Sequence, residues 1–149
     1  VAGVLALDDL KTPKRSEKGI VGGAGVYSSI ASNFFTNTVL VAAIGNDFPK
    51  DIYHLLKEKN IDLSCVKEMN YPTFHWSGEY LGDMSQAITH KTDFQINEHY
   101  DWEISSQQKN SELLLLCNND PKIQAKILKQ TKPELVAMDT MNLWIDIAK

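Results

Sequence analysis

Thr38–Ile44 is an unbroken run of apolar and β-branched residues, bounded by Asn37 before it and Gly45-Asn46 after it. A strand with one solvated face alternates apolar and polar residues; one that does not alternate is buried on both faces, which requires helices above and below a largely parallel sheet. The flanking segments supply those helices. From Ala24 to Phe35, Val26, Ile30, Ala31 and Phe34 recur at three- and four-residue intervals and predict an amphipathic helix with these side chains on its core face. Asp51–Lys59 groups Ile52, Tyr53, Leu55 and Leu56 on one helical face after Pro49. Ile61–Val66, Leu113–Cys117 and Leu135–Met138 read as further strands, the last two separated by a helix opened by Asp120-Pro121 and faced by Ile123, Ile127 and Leu128. This alternation predicts a three-layer α/β core.

Two segments depart from it. Thr73–Gln95 is rich in aromatic and β-branched residues broken by Gly78, Gly82 and Asp83, and no helical period fits; it reads as two antiparallel strands outside the main sheet, a small lid that the polar segment around Gly19 could join. Tyr100–Asn110 reads as a polar loop with a short helix. Val1–Leu7 reads as a buried strand that delivers Asp8 and Asp9 at its carboxyl end, and a short strand at Gly19–Val21 runs into Gly22-Gly23.

Charge and composition exclude several classes. With 149 residues, 43% of them hydrophobic, the chain can bury a single core, and repeats and low-complexity linkers are absent. Lys and Arg total 15 against 19 Asp and Glu, and the one basic cluster, Lys11, Lys14, Arg15 and Lys18, is offset by Asp8, Asp9 and Glu17, so nucleic acid is not an expected partner. No apolar run reaches the ~18 residues of a membrane span, and no secretory leader is evident, so a soluble, cytoplasmic protein is expected. Cys65 and Cys117 lack metal or disulfide spacing and read as structural thiols; His54, His75, His90 and His99 lack the spacing of a helical metal site and read as surface residues. No metal ligands are expected.

Chemistry concentrates at three strand ends. Gly22-Gly23-Ala24-Gly25 opens a helix, where absent side chains let a ligand approach the backbone; a tight turn needing positive φ explains the glycines equally well. Gly23, Gly25 and Ser28 half-match a dinucleotide fingerprint, with Asp47 downstream, but Ser28 stands where a third glycine belongs. Asp8 and Asp9, being adjacent on a strand, point to opposite faces; one could bind hydroxyls, or both could cap a turn. Asn118, Asn119 and Asp120 reach the same sheet edge after one strand, as do Asp139, Thr140 and Asn142 after another. Trp76, Tyr80 and Trp144 could stack on a ring, although aromatic residues in strands are more often core. Neither a nucleophile–base arrangement nor a phosphate loop ending in Gly-Lys-Ser/Thr is present.

Taken in order, Leu7-Asp8-Asp9, the Gly22-Gly23 turn, Val41–Phe48 with its Gly45-Asn46-Asp47 step, Lys59–Ser64, Thr73–Gly78, Asn118–Pro121 and Asp139–Trp144 resemble the N-terminal half of the ribokinase-like (PfkB) carbohydrate kinases. The resemblance implies a three-layer α/β fold with a β-sheet lid, which in that family often forms a homodimer contact. It implies that residues 1–149 are the N-terminal part of such a kinase, with lid strands at about 73–95. It also implies that Asp8 and the Gly22 and Gly23 backbone hold acceptor hydroxyls, with Asn118 and Asn142 at the same pocket. Family members are about twice as long and carry the metal–phosphate motif Asn-x-x-Glu and the anion-hole motif Gly-Ala-Gly-Asp, whose Asp is the catalytic base, in a second half. Neither motif occurs here. ATP and Mg²⁺ are therefore expected of the whole protein, and no catalytic residue of this chain. Tyr27 stands where many members have Asn, which bears on acceptor identity.

The expected function is ATP-dependent phosphorylation of a sugar or nucleoside hydroxyl, this chain supplying the acceptor pocket and lid. A non-catalytic binding or dimerisation module is the rival from another class, and a dinucleotide-dependent oxidoreductase is the third reading.

Overall fold

The computed structural model describes residues 1–147. Its elements in chain order are β1 (Ala6–Lys11), β2 (Ser16–Gly22), α1 (Ala24–Ser32), β3 (Val39–Gly45), α2 (Lys50–Glu58), β4 (Asp62–Met69), β5 (Phe74–Tyr80), β6 (Ala87–Asp93), α3 (Gln95–His99), a 3₁₀ turn (Gln108–Asn110), β7 (Leu113–Leu116), α4 (Pro121–Gln130), β8 (Leu135–Met138) and α5 (Asn142–Ile147).

The central sheet is parallel. β3 pairs with β4 and β7 with β8, and Ala2 bridges the two pairs between Val41 and Leu116. The amide of Ala2 donates to Leu115 on one side, and that of Gly3 donates to Val41 on the other. β3 is buried on both faces, as its unbroken apolar run predicts. Leu40, Ala42 and Ile44 pack with Val26 of α1, Leu56 of α2 and Ile61, whereas Val41 and Ala43 join Ile96, Trp102, Leu116 and Ile127 on the opposite face. Leu40 and Leu56 are fully buried, each contributing about 1.5–3 kcal/mol of transfer free energy. α4 starts at Asp120, whose Oδ1 accepts a 2.8 Å hydrogen bond from the Lys122 amide ahead of the Pro121-led first turn.

The second sheet has the order β2-β1-β5-β6. β1 runs antiparallel to β2 and parallel to β5, and β5 and β6 form an antiparallel pair. The Thr73–Gln95 segment thus lies outside the main sheet as two strands, joined by the polar segment around Gly19.

Three expectations are corrected, and the outer strand stands uncovered. Val1–Leu7 is not one strand: residues 1–3 belong to the central sheet, and from Ala6 the chain enters the lid, carrying Asp8 and Asp9 into β1. Phe34 is 78% exposed because α1 ends at Ser32, so its helical period no longer applies there. The Tyr100–Asn110 loop is polar only in part. Tyr100, Trp102 and Ile104 alternate inward into the core, and Trp102 is fully buried with φ near +50°, a left-handed backbone that bulky residues rarely adopt. Finally, every residue of β8 is exposed, because among the described residues β8 has a neighbour on one side only.

Among the described residues no helix is long and apolar enough to cross a membrane. Cys65 and Cys117 are free and buried, in line with their reading as structural thiols.

Candidate functional site

The first strand of the lid brings Asp8 onto the glycine turn. Asp8 pairs in register with Ile20 of β2 and Trp76 of β5, and the β1–β2 register shifts between Asp8 and Leu10. Its carboxylate lies against the α-carbon of Gly22, where any side chain would overlap Asp8 Oδ2. Gly23, the N-cap of α1, has φ near +87°, and a Cβ there would collide with the carbonyl of Val4. Glycine is required at position 23 by backbone conformation and by the Val4 carbonyl, whereas a side chain at position 22 would have to displace the Asp8 carboxylate. The turn is tied to the chain leaving the central sheet by the Gly25 amide, which donates to Val4 O at 2.9 Å. No side chain caps α1.

The two neighbouring carboxylates are not equivalent. Asp9 Oδ1 accepts from the Gly19 amide at 2.9 Å and sits 3.4 Å from His75 Nε2. These contacts, the Gly19 hydrogen bond foremost, hold its pKa below the usual carboxylate value. Asp9 therefore fastens the lid. Asp8 accepts no hydrogen bond among the described residues, and burial pushes its pKa up to about 6 against the opposing pull of His75. A half-buried carboxylate with two unused oxygens beside bare backbone is a ready acceptor for ligand hydroxyls. His75 is thus not a scattered surface residue but part of this carboxylate cluster.

Asn118 follows β7 on the carboxyl edge of the central sheet. Its Nδ2 meets Met141 Sδ at 3.1 Å, and its buried Oδ1 has no partner among the described residues. The preceding Cys117, whose thiol pKa is raised by burial, packs on Gly3, which in turn touches Gly25 of the glycine turn. Asn118 thus shares an edge with the turn without contacting Asp8. Asn142 opens α5 exposed to solvent and makes no hydrogen bond to Asp8, Gly22 or Asn118. The structure brings Asp8, Gly22 and Gly23 together and places Asn118 against Met141, the residue before Asn142, on the edge of the central sheet.

Gln124 escaped the sequence altogether, and Asn119 and Tyr27, though named there, make contacts that residue type does not announce. Asn119 is buried: its Oδ1 accepts from the Asp120 amide at 2.8 Å, so the residue caps rather than reaching outward. Buried Gln124 of α4 donates to the carbonyls of Cys117 and Asp139, 2.9 Å each, joining the ends of β7 and β8. Tyr27 donates its hydroxyl to Val21 O at 2.9 Å, which sets its exposed ring beside the glycine turn. Asn119 sits among polar neighbours in sequence, and Gln124, between Ile123 and Ala125, has a residue type that gives no sign of burial. Trp144 packs against Phe94, with ring centroids 5.8 Å apart, at a cavity of about 460 Å³ lined also by Trp102, Ile123 and Leu143, away from Asp8.

The dinucleotide reading does not suit this geometry, since the glycine turn follows an antiparallel lid strand rather than the first strand of a parallel βαβ unit. Among the described residues no cluster of His, Cys, Asp or Glu could hold a metal ion.

No family model and no curated protein sequence matches the chain. Solved structures do. A nucleoside kinase of Methanocaldococcus jannaschii, described as an archaeal member of the ribokinase family, matches at TM-score 0.63 and 19% identity over 93% of this chain and 50% of its own. A putative sugar kinase from Clostridium perfringens matches at TM-score 0.59 and 22% identity, over 93% of this chain and 49% of its own. The nucleoside kinase of Burkholderia thailandensis in complex with ADP-inosine matches at TM-score 0.61 and 10% identity, over 87% and 47%. At these identities the likeness is one of fold: the chain has the ribokinase-like α/β fold with its β-sheet lid, over about half the length of the kinases that share it.

Proposed function

We propose that the chain is the acceptor-binding part and lid of a cytoplasmic kinase that transfers phosphate from ATP to a hydroxyl of a sugar or nucleoside. The observation that carries this reading is the Asp8 carboxylate, without a hydrogen bond among the described residues and set against the bare backbone of Gly22 where the lid meets α1. Asp8 and the Gly22-Gly23 backbone would hold the acceptor's hydroxyls. Asn118 and Asn142 would line the same pocket. Lid closure over that pocket would exclude water from the transfer.

The residues present do not fit ATP or Mg²⁺: there is no phosphate loop, and no metal-holding cluster among the described residues. Both would be held by residues of a longer protein, with the catalytic base among them. The likeness to kinases about twice this length supports that division. A homodimer would form through the lid, whose edge strand β6 is exposed from Ala87 to Lys91. Neither nucleic acid nor membrane is a proposed partner, given a net charge of -4 and dispersed basic residues.

Titration calorimetry of the chain with inosine and with ribose tests the reading. One of the two should bind, and Asp8→Ala should abolish binding while leaving the circular dichroism spectrum unchanged. Equal affinity in the variant overturns the role of Asp8. Binding without ADP formation by the longer protein would favour the non-catalytic module instead.

A further inference from the structure

The end of β3 and the root of β5 meet in a compact polar contact that the acceptor site does not use. Thr73, buried and immediately before the first lid residue of β5, accepts a 2.9 Å hydrogen bond from the Gly45 amide through its hydroxyl. The same hydroxyl donates to Asp47 Oδ1 at 2.6 Å, and the Thr73 amide donates to that oxygen at 2.8 Å. Gly45 has no room for a side chain, because a Cβ would collide with the Tyr71 carbonyl. One carboxylate oxygen thus holds both the main chain and the side chain of the residue at which β5 leaves the core. The next residue, Phe74, pairs with Ala6 at the start of β1, two residues before Asp8.

We infer that Asp47 is a positioning residue that fixes the root of the lid, and with it the angle at which β1 and β5 stand over the glycine turn. The inference rests on the lid being a sheet separate from the core, not on what the lid closes over. A charge-assisted pair of hydrogen bonds at a strand root restricts the dihedral angles through which a lid can swing. Loss of the pair frees the lid strands while the buried cores on either side of β3 stay intact, because Asp47 itself belongs to neither cluster.

Hydrogen–deuterium exchange of the full chain, read by mass spectrometry, tests this. Asp47→Ala should speed exchange of the Phe74–Tyr80 and Ala6–Lys11 amides about tenfold, with Val39–Gly45 and Asp62–Met69 within about twofold of wild type. Asp47→Asn keeps an oxygen that accepts both hydrogen bonds without the charge and should exchange between wild type and Asp47→Ala. If Asp47→Ala does not fold, Thr73→Val, which keeps the shape and removes the hydroxyl, should show the same lid-selective rise, apart from the Gly45 amide, which loses its acceptor. The inference is overturned if lid and core accelerate together, if neither changes, or if the Asn variant behaves like the Ala variant. No ligand is needed, so this result stands apart from the outcome of the acceptor titration.

Discussion

Asp8 and Gly22 are in contact across the junction of two lid strands, the carboxylate of one occupying the space that a side chain on the other would need. The pair is interdependent: the glycine makes room for the carboxylate, and the carboxylate faces the backbone that the glycine leaves bare. Gly22→Ala should therefore displace Asp8 rather than merely crowd it. Overpacking of this kind costs about 1–3 kcal/mol, measurable as a lower urea midpoint. Under the proposed function it should also weaken inosine or ribose binding as much as Asp8→Ala does. A variant that is destabilised but binds normally would separate the packing role of Gly22 from the placement of Asp8.

The ionisation of Asp8 gives a pH dependence of defined sign. Burial raises its pKa from 3.8 to about 6, so between those values the folded chain holds a proton that the unfolded chain has released. The contribution of Asp8 to stability is fully present below the unfolded value and is lost as pH rises through about 6. At pH 7 the buried charge is a liability, and Asp8→Asn should stabilise the chain by about 1 kcal/mol once solvent contact is allowed for. At pH 3 the two proteins should unfold alike. Under the proposed function, acceptor binding would have the opposite dependence, since hydroxyl donors need the ionised carboxylate; affinity should fall as pH drops through about 6 and be pH-independent in the Asn variant. Urea titrations at the two pH values and calorimetry between pH 5 and 8 check both signs.

The parts of this arrangement legible in the sequence are those set by period. The β3 run, the α2 helix, the β7–α4–β8 unit with its Asp120 cap and the extra-sheet strands at 73–95 all follow from the spacing that buried faces enforce, although Leu55 of α2 and Leu128 of α4, expected on such faces, are 39% and 41% exposed. What escaped depends on contacts distant in sequence. The break after residue 3 is set by the glycine turn packing on Val4, 19 residues and more downstream, and local propensity carries no trace of it. Tyr100, Trp102 and Ile104 alternate inward through an otherwise polar loop, so their burial is a property of the core cluster that they join. Asp8 and Asp9 could be separated only by the structure, because the distinction between them is the Gly19 amide, supplied by the neighbouring strand.

The open side of β8 makes a last prediction. Leu135 and Met138 are 62% and 65% exposed, with Val136 between them also exposed, although the segment has the composition of a strand buried on both faces. Among the described residues nothing pairs with its outer edge. An unpaired edge with apolar side chains on both faces is a template for another strand, and natural sheets usually blunt such edges with charge, proline or a covering helix. Here α5 adds exposed Ile145 and Ile147 instead of cover. The isolated chain should therefore self-associate as concentration rises, with growth visible in light scattering. Val136→Lys places a charge on that strand while leaving the Asp8–Gly22 contact untouched, and should shift the chain towards monomer. If wild type remains monomeric at high concentration, the edge is protected in solution; if the lysine variant associates equally, association runs through another surface, for which the exposed edge of β6 is the next candidate.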